Sequence, residues 1–322
     1  MRTRRVVAVV TPASVKKVRR AILALAPIAT LARTTRLRAG FDGEEAPLVS
    51  VVIPTYNWSS VLRFAVASAL AQTYPRLEVV VVGDGCTDDS EKVVASFDDE
   101  RVRWHNLPEN SGSQSTPNNA GIELARGEWI AYLGHDDVWL PSHLSLLMAA
   151  VLDAKADIGY AVTELIGPPG SGYRSLSGIR GEELGPRPSA LVHRTTLVDE
   201  IGPWHDYRTI NRPPDEEFVD RAHEHGMRFA TSRALTVIKF PSVWRRNSYR
   251  TKLCEEQAHH SRRIQSERGF VARELAALAF ARVVAQFRPT RAVLPQWPET
   301  PNPVPLGWGV TEGRRIRGLE DR

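Results

Sequence analysis

Cysteine is almost missing from this chain: Cys86 and Cys254 are its only two in 322 residues, far apart and without partners at metal-ligand spacing. That excludes a disulfide framework and a cysteine-bound zinc site, and makes a reducing compartment the simplest expectation. Neither a G-x-G-x-x-G run nor a G-x-x-x-x-G-K-[ST] run occurs, so the dinucleotide fingerprint and the P-loop are both unavailable. Long apolar runs are lacking too. The best, residues 21–32 (AILALAPIATLA), contains Pro27 and stops well short of the ~20 residues a spanning helix needs. Acidic residues are absent from residues 1–40, which hold ten basic side chains and carry the whole positive balance. The remaining 282 residues have 32 basic against 37 acidic groups, a net −5, although the chain totals +5. A nucleic-acid binder should show its basic footprint on the folded domain, so no nucleic-acid partner is expected.

What is present is ordinary for a soluble globular protein. The chain is 42% hydrophobic and 25% charged, with 22 Gly and 22 Pro dispersed along it. Its length fits about two domains, or one large α/β unit with terminal extensions. In the basic arm, Val15, Val18, Ile22 and Leu25 share one helical face with Lys16, Lys17, Arg19 and Arg20 beside them. That pattern suits a helix on an anionic membrane surface, and equally a helix packed on its own domain. The expected location is cytoplasmic, with peripheral contact at the inner membrane face through residues 1–40 as the first of those two readings.

From Pro47 the texture alternates between strand and helix. VSVVI (49–53) and LEVVVV (77–82) are short apolar runs of the kind buried on both faces in a parallel sheet. Between them Leu62, Ala65, Val66, Ala69 and Leu70 follow the 3.6-residue period, with Asn57 or Ser59 as candidate caps. Further strands are expected at 102–105, 129–133, 158–163 and 235–240, and helices at 90–97, 142–153, 213–225 and 255–287. Residues 167–189, rich in Gly, Pro and Ser, read as loop, and 289–305 as an irregular linker. Such alternation implies right-handed crossovers and an α/β fold with a mostly parallel sheet, whose ligands bind outside the carboxyl ends of the strands. Three strand ends carry polar clusters: Pro54-Thr55-Tyr56-Asn57, Asp84-Gly85 and His135-Asp136-Asp137. They should meet in one crevice.

Asp136 and Asp137 follow an apolar strand directly. Adjacent carboxylates repel, and a hard divalent ion relieves them; Mg²⁺ or Mn²⁺ takes one or two carboxylates and completes its shell with water and substrate phosphate. Asp84, at the end of a neighbouring strand, can accept hydrogen bonds from a nucleobase edge or ribose hydroxyls; an acid in an Asp-Gly turn is the plainer reading. With no glycine-rich phosphate cradle, metal is the obvious means of holding phosphate.

Four segments in order, VSVVIPTYN (49–57), GDGCTDDS (83–90), NSGSQSTPNNAGIELARGEWIAYLGHDDVWLP (110–141) and PPDEEFVDRAHEHG (213–226), resemble the family 2 glycosyltransferases of the GT-A (Rossmann-like) fold. The resemblance covers about residues 47–250, leaving 1–46 as a basic arm and 251–322 as a helical and irregular extension. It implies an inverting, metal-dependent enzyme that moves a sugar from a nucleotide-diphosphate sugar to a hydroxyl of a glycan, lipid or small molecule. It further implies that Pro54, Thr55 and Tyr56 line the nucleotide pocket, Asp84 reads the base, Asp136 lies near the ribose, Asp137 binds the metal, and Asp215 is the general base upstream of Arg221. Asn118 falls in the same substrate-binding set.

Pro117 stands where relatives often carry Arg, so one phosphate or ribose contact is missing. Pro214 replaces a common Glu, leaving Asp215, Glu216 and Glu217 as acids. Arg245 and Arg246, in WRRNSYR, stand where a basic cluster would face the diphosphate, a role that guanidinium geometry suits. His135 reads as a polar residue at a strand end, His193 and His260 as surface or loop histidines, and Trp204 as either an acceptor platform or core. The competing class is a noncatalytic module binding nucleotide-sugar or glycan on the same fold. A nucleotidyltransferase would want an early Gly-rich loop with Arg or Lys, which is not found.

Overall fold

The computed structural model describes residues 41, 45–179, 185–287 and 305–319. Residues 1–40 and 42–44 of the basic arm and nearly all of the linker expected at 289–305 lie outside the described residues. The strands are β1 (Val49–Thr55), β2 (Leu77–Gly83), β3 (Val102–Asn106), β4 (Trp129–Tyr132), β5 (Val138–Trp139), β6 (Ile158–Ile166), β7 (Arg174–Ser177), β8 (Leu191–Arg194) and β9 (Phe229–Lys239). The helices are α1 (Ser59–Leu70), α2 (Ser90–Ala95), α3 (Ser115–Leu124), α4 (His143–Asp153), α5 (Leu197–Ile201), α6 (Pro214–Glu224), α7 (Ser248–Thr251), α8 (Glu255–Ser266), α9 (Phe270–Phe287) and α10 (Trp308–Arg317).

All belong to one α/β layer system around a sheet of order β3-β2-β1-β4-β8-β6-β9-β5, with β7 paired to β6. The first four strands are parallel, as their continuous apolar runs require: β1 aligns Val49 with Leu77 of β2 on one side and with Trp129 of β4 on the other. The chain moves outward from β1 to β3, then returns to the opposite side of β1 to form β4. That reversal opens a crevice beyond the carboxyl ends of β1 and β4.

Past β4 the sheet becomes mixed. β8 runs antiparallel between β4 and β6, and β5 runs antiparallel to β9, while β6 and β9 pair in parallel. Part of the stretch read as loop forms β7, antiparallel to β6. The seven residues between those strands are too few for a crossover but enough for a hairpin. The RSLS of β7 has no apolar alternation to announce it.

Two apolar layers sandwich the sheet. Ile53, Val81, Leu62, Val66 and Leu147 fill one, with α1 and α4 on that face. Tyr132, Trp204 and Phe218 belong to the other. Each such fully buried aliphatic side chain stabilises by about 1.5–3 kcal/mol. Leu275 and Leu278 of α9 pack on Val162, Leu176 and Leu235, which ties residues past 250 to the sheet.

The start of α1 departs from a local cap. Asn57 has a left-handed backbone (φ 43°) and turns the chain; its Oδ1 accepts from Thr87 N and Asp88 N. Asp88 Oδ2 in turn accepts from Ser59 N at 2.9 Å. The orphan donor of the helix is thus satisfied from the loop after β2, which locks two of the three polar strand ends together.

Candidate active site

The cleft beyond β1 and β4 encloses about 400 Å³. Pro54, Thr55 and Tyr56 form one wall, from the end of β1, and Asp84, Asn118, Asp136 and Asp215 reach it from four other elements. The three polar strand ends meet as the pattern predicted, and the acid at the start of α6 joins them across about 80 residues of chain.

Asp84 is held by the backbone that surrounds it. Asn110 Nδ2 donates to its Oδ2 at 2.9 Å and Ser111 N to its Oδ1 at 3.0 Å. Burial pushes its pKa up, opposed by hydrogen bonds from Ser111 and Gly112 and by the charge of Arg314. The following Gly85 has φ +69°, and a Cβ there would meet Glu109 C and Asn110 N at 2.5 Å, so only glycine lets the loop close over Asp84.

The acidic pair divides. Asp137 is wholly buried, and both its oxygens are taken: Oδ2 accepts from Lys239 Nζ at 2.6 Å and from Ser189 Oγ, and Oδ1 from Phe240 N at 3.2 Å. It is not part of the cleft lining. Asp136 is, and no described residue donates a hydrogen bond to its carboxylate; only its backbone carbonyl is used, by Gln257 Nε2. The pair expected to split as ribose contact and metal ligand therefore presents Asp136 to the cleft and keeps Asp137 behind it, because the turn points adjacent side chains in opposite directions and the end of β9 captures the inner one. Among the described residues no group of three or more His, Cys, Asp or Glu could hold a metal by itself. The one open carboxylate, Asp136, nevertheless fits the requirement of a cation that takes most of its ligands from water and phosphate.

His135 sits between these groups, buried, its Nδ1 bonded with Thr55 Oγ1 at 2.8 Å and its Nε2 with Tyr249 Oη at 3.2 Å. Burial holds its pKa below the usual imidazole value. Tyr56 and Tyr249 stack, ring centroids 6.3 Å apart, and add an aromatic wall.

Asn118 is fully buried at the cleft, and neither its Oδ1 nor its Nδ2 has a partner among the described residues. Leaving a buried amide unpaired costs about 1–3 kcal/mol, which a bound polar group would recover.

Asp215 lines the cleft at the first turn of α6 and ion-pairs with Arg187 at 3.5 Å. Glu216, the competing acid, is not in the lining, and its side chain is 45% exposed. Arg221 is buried beneath, spending its guanidinium on Glu217 and the carbonyls of residues 201–203.

Other expected contacts lie elsewhere. Arg245 binds Glu256 through two 2.7 Å contacts and caps the carbonyls of Pro241, Ile166 and Gly167. Arg246 is exposed, and neither residue lines the cleft. The cations that do are Arg187, Lys239, Arg314 and Arg317. Sequence reasoning missed all four, having looked for basic residues beside a motif instead of just before β8, at the end of β9 and in α10. Trp204 is core, stacked on Phe218 with its Nε1 donating to Tyr132 Oη. His193 and His260 are buried, correcting the surface reading: His193 bridges Tyr132 Oη and the Arg194 carbonyl, and His260 packs edge-on to Phe240.

Residues 50–237, more than half of the chain, match the sequence profile of the family described as "Glycosyl transferase family 2". The chain belongs to glycosyltransferase family 2. Relatives of this glycosyltransferase include an uncharacterized glycosyltransferase of Rickettsia felis, 41% identical over 134 residues, which are 40% of this chain and 22% of that protein. Another is the succinoglycan biosynthesis protein ExoO of Rhizobium meliloti, 36% identical over 134 residues, or 42% of this chain and 38% of ExoO. The match thus spans well under half the length of these relatives. The crystal structure of S. aureus TarS 1-349 in complex with UDP-GlcNAc shares the GT-A fold, with a TM-score of 0.51 at 19% identity over 84% of this chain and 83% of that one. No described helix is long and apolar enough to cross a membrane.

Proposed function

We propose that this family 2 glycosyltransferase transfers a sugar from a nucleotide-diphosphate sugar to a hydroxyl acceptor by a single in-line displacement with inversion, using Asp215 as general base. The observation that carries the reading is the convergence of Asp84, Asn118, Asp136 and Asp215 on one cleft at the strand-order reversal. The nucleoside lies toward Pro54, Thr55, Tyr56 and Asp84, and the unpaired amide of Asn118 takes up a donor hydroxyl or phosphate oxygen. The diphosphate lies toward Asp136.

Asp215 accepts the proton of the acceptor hydroxyl as its oxygen bonds to the anomeric carbon, while the bond from that carbon to the diphosphate oxygen breaks. Base and leaving group stand on opposite sides of the sugar, which inverts its configuration by the geometry that separates inverting from retaining glycosidases. Arg187 orients Asp215 through their ion pair. Asp136 would hold a Mn²⁺ or Mg²⁺, whose charge would offset the one that develops on the leaving diphosphate. The name of ExoO supports a glycan acceptor, and the ligand of the TarS structure makes uridine diphosphate sugars the first donors to try.

The test is donor turnover with and without acceptor in wild type, Asp215→Asn and Glu216→Gln. Asp215→Asn is expected to lose about 10²- to 10⁴-fold in transfer while still binding the donor, the share general bases usually supply. Equal activity of Asp215→Asn and wild type, or a larger loss in Glu216→Gln, would overturn the assignment.

A further inference from the structure

The family match ends at residue 237, yet three of the four cations on the cleft, Lys239, Arg314 and Arg317, come after it. Two of these belong to α10, near the end of the chain. This helix is docked by backbone hydrogen bonds at both ends: Gly307 N to Ile210 O at 2.8 Å before its first turn, and Asn247 N to Ile316 O at 2.9 Å in its last. Gly309, Val310 and Gly313 form part of the cleft lining, and Gly313 and Ile316 are buried. The helix is thus a wall of the donor cleft.

Its two arginines have different work. Arg314 Nη1 donates to Gly112 O at 3.0 Å and contacts Asn110 Oδ1 at 3.4 Å, the same Asn110 that donates to Asp84. It fastens α10 to the loop that holds Asp84. Arg317 spends only Nε on the protein, donating to Gly313 O at 3.0 Å, and lies over the Tyr249 ring at 5.6 Å. Tyr249 bonds His135, the residue before Asp136, and Arg317, Tyr249, His135 and Asp136 all line the cleft. The two Nη groups of Arg317 have no hydrogen-bond partner among the described residues, and the residue is part of the cleft lining. Pro117 lines the same space and offers no charge to a phosphate.

Resting on the reading above, the geometry points to Arg317 as a diphosphate-binding residue supplied in cis by the C-terminal helix, so that the donor site is complete only when α10 is docked. A planar guanidinium offers a two-pronged donor to phosphate oxygens, and the Tyr249 face beneath fixes its plane.

Titration calorimetry of the full chain with UDP, GDP and CDP, each beside its nucleoside and with and without Mn²⁺, tests this. Wild type should bind one diphosphate. Arg317→Gln should weaken that diphosphate about ten- to a hundredfold, the span of one or two charge-assisted bonds, and change the nucleoside less than twofold. Arg317→Lys should recover part of the loss. Hydrogen exchange of the peptide covering 308–317 in the unmodified protein should slow with the diphosphate and not with the nucleoside, which needs no variant to fold. Equal diphosphate affinity in wild type and Arg317→Gln, or unchanged exchange in α10, would overturn the role of the helix while leaving the donor reading intact. Absence of any diphosphate binding by wild type would overturn both.

Discussion

Lys239, at the end of β9, places its ammonium 2.6 Å from Asp137 Oδ2, joining the last strand of the fold to the turn that follows β4. Each partner is withdrawn from bulk water, and breaking such a pair strands the other charge. Asp137→Ala is therefore expected to cost about 3–5 kcal/mol of stability, read by urea unfolding, because it leaves Lys239 uncompensated. Adding Lys239→Met should restore much of it. A protein that keeps its full stability in Asp137→Ala while losing transfer would show that the residue serves the reaction directly.

The neighbouring acid behaves in the opposite way. Asp136 has no hydrogen-bond donor to its carboxylate among the described residues and faces the cleft. Asp136→Asn should hold stability within about 1 kcal/mol, since it keeps the size of the side chain and breaks no hydrogen bond to the carboxylate among the described residues. Any increase in donor affinity brought by Mn²⁺ should vanish in this variant. Calorimetry with and without the ion measures it, and retention of the metal effect would place the cation elsewhere.

Asn118 gives a third outcome. Its amide is buried and unpaired, so Asn118→Ala removes an unsatisfied group at little cost to the free protein, or a slight gain. The same change should weaken the nucleotide-sugar by roughly tenfold through one lost hydrogen bond to a ligand. Parallel thermal unfolding and donor titration separate the two effects; a large fall in melting temperature with unaltered binding would make Asn118 purely structural.

Two histidines set an acid limit. Burial lowers His143 to about 3 and His193 to about 4, against 6.5 for the free side chain. The folded values are depressed, so unfolding takes up protons: their contribution is complete above about 6.5 and is lost as pH falls toward the folded values. Within that window each histidine should cost about 1.4 kcal/mol per pH unit. Denaturant unfolding of wild type and His193→Gln between pH 7 and 4.5 isolates one ring: their stability difference should shift by about 1.4 kcal/mol per pH unit in favour of the variant as pH falls. A difference that does not change with pH would mean that the His193 ring is protonated inside the fold.

Much of the fold could be read directly. The VSVVI and LEVVVV runs are parallel strands because nothing polar interrupts them, and the helix over 59–70 follows from Leu62, Ala65, Val66 and Ala69. β8 and β5 escaped notice, at four and two residues, since neither is long enough to show a period. The cap of α1 also escaped, because Asp88 supplies it from another loop.

At the site, local pattern was sufficient to place Asp84 and Asp136 at strand ends that share one edge, since the parallel order brings the carboxyl ends of β1, β2 and β4 side by side. It also brought Asp215 to attention through the family segment. Local pattern has no access to which of two adjacent carboxylates turns inward. That choice lies with Lys239, Ser189 and Phe240 N, which surround Asp137 from distant segments. Nor could it separate Arg245, claimed by Glu256, from Arg317, which lines the cleft and whose Nη groups have no hydrogen-bond partner among the described residues. A strand or helix declares itself through the spacing of its own side chains, whereas the direction of a charge is settled by whichever oppositely charged or hydrogen-bonding group packs against it, and only the folded chain brings those groups together.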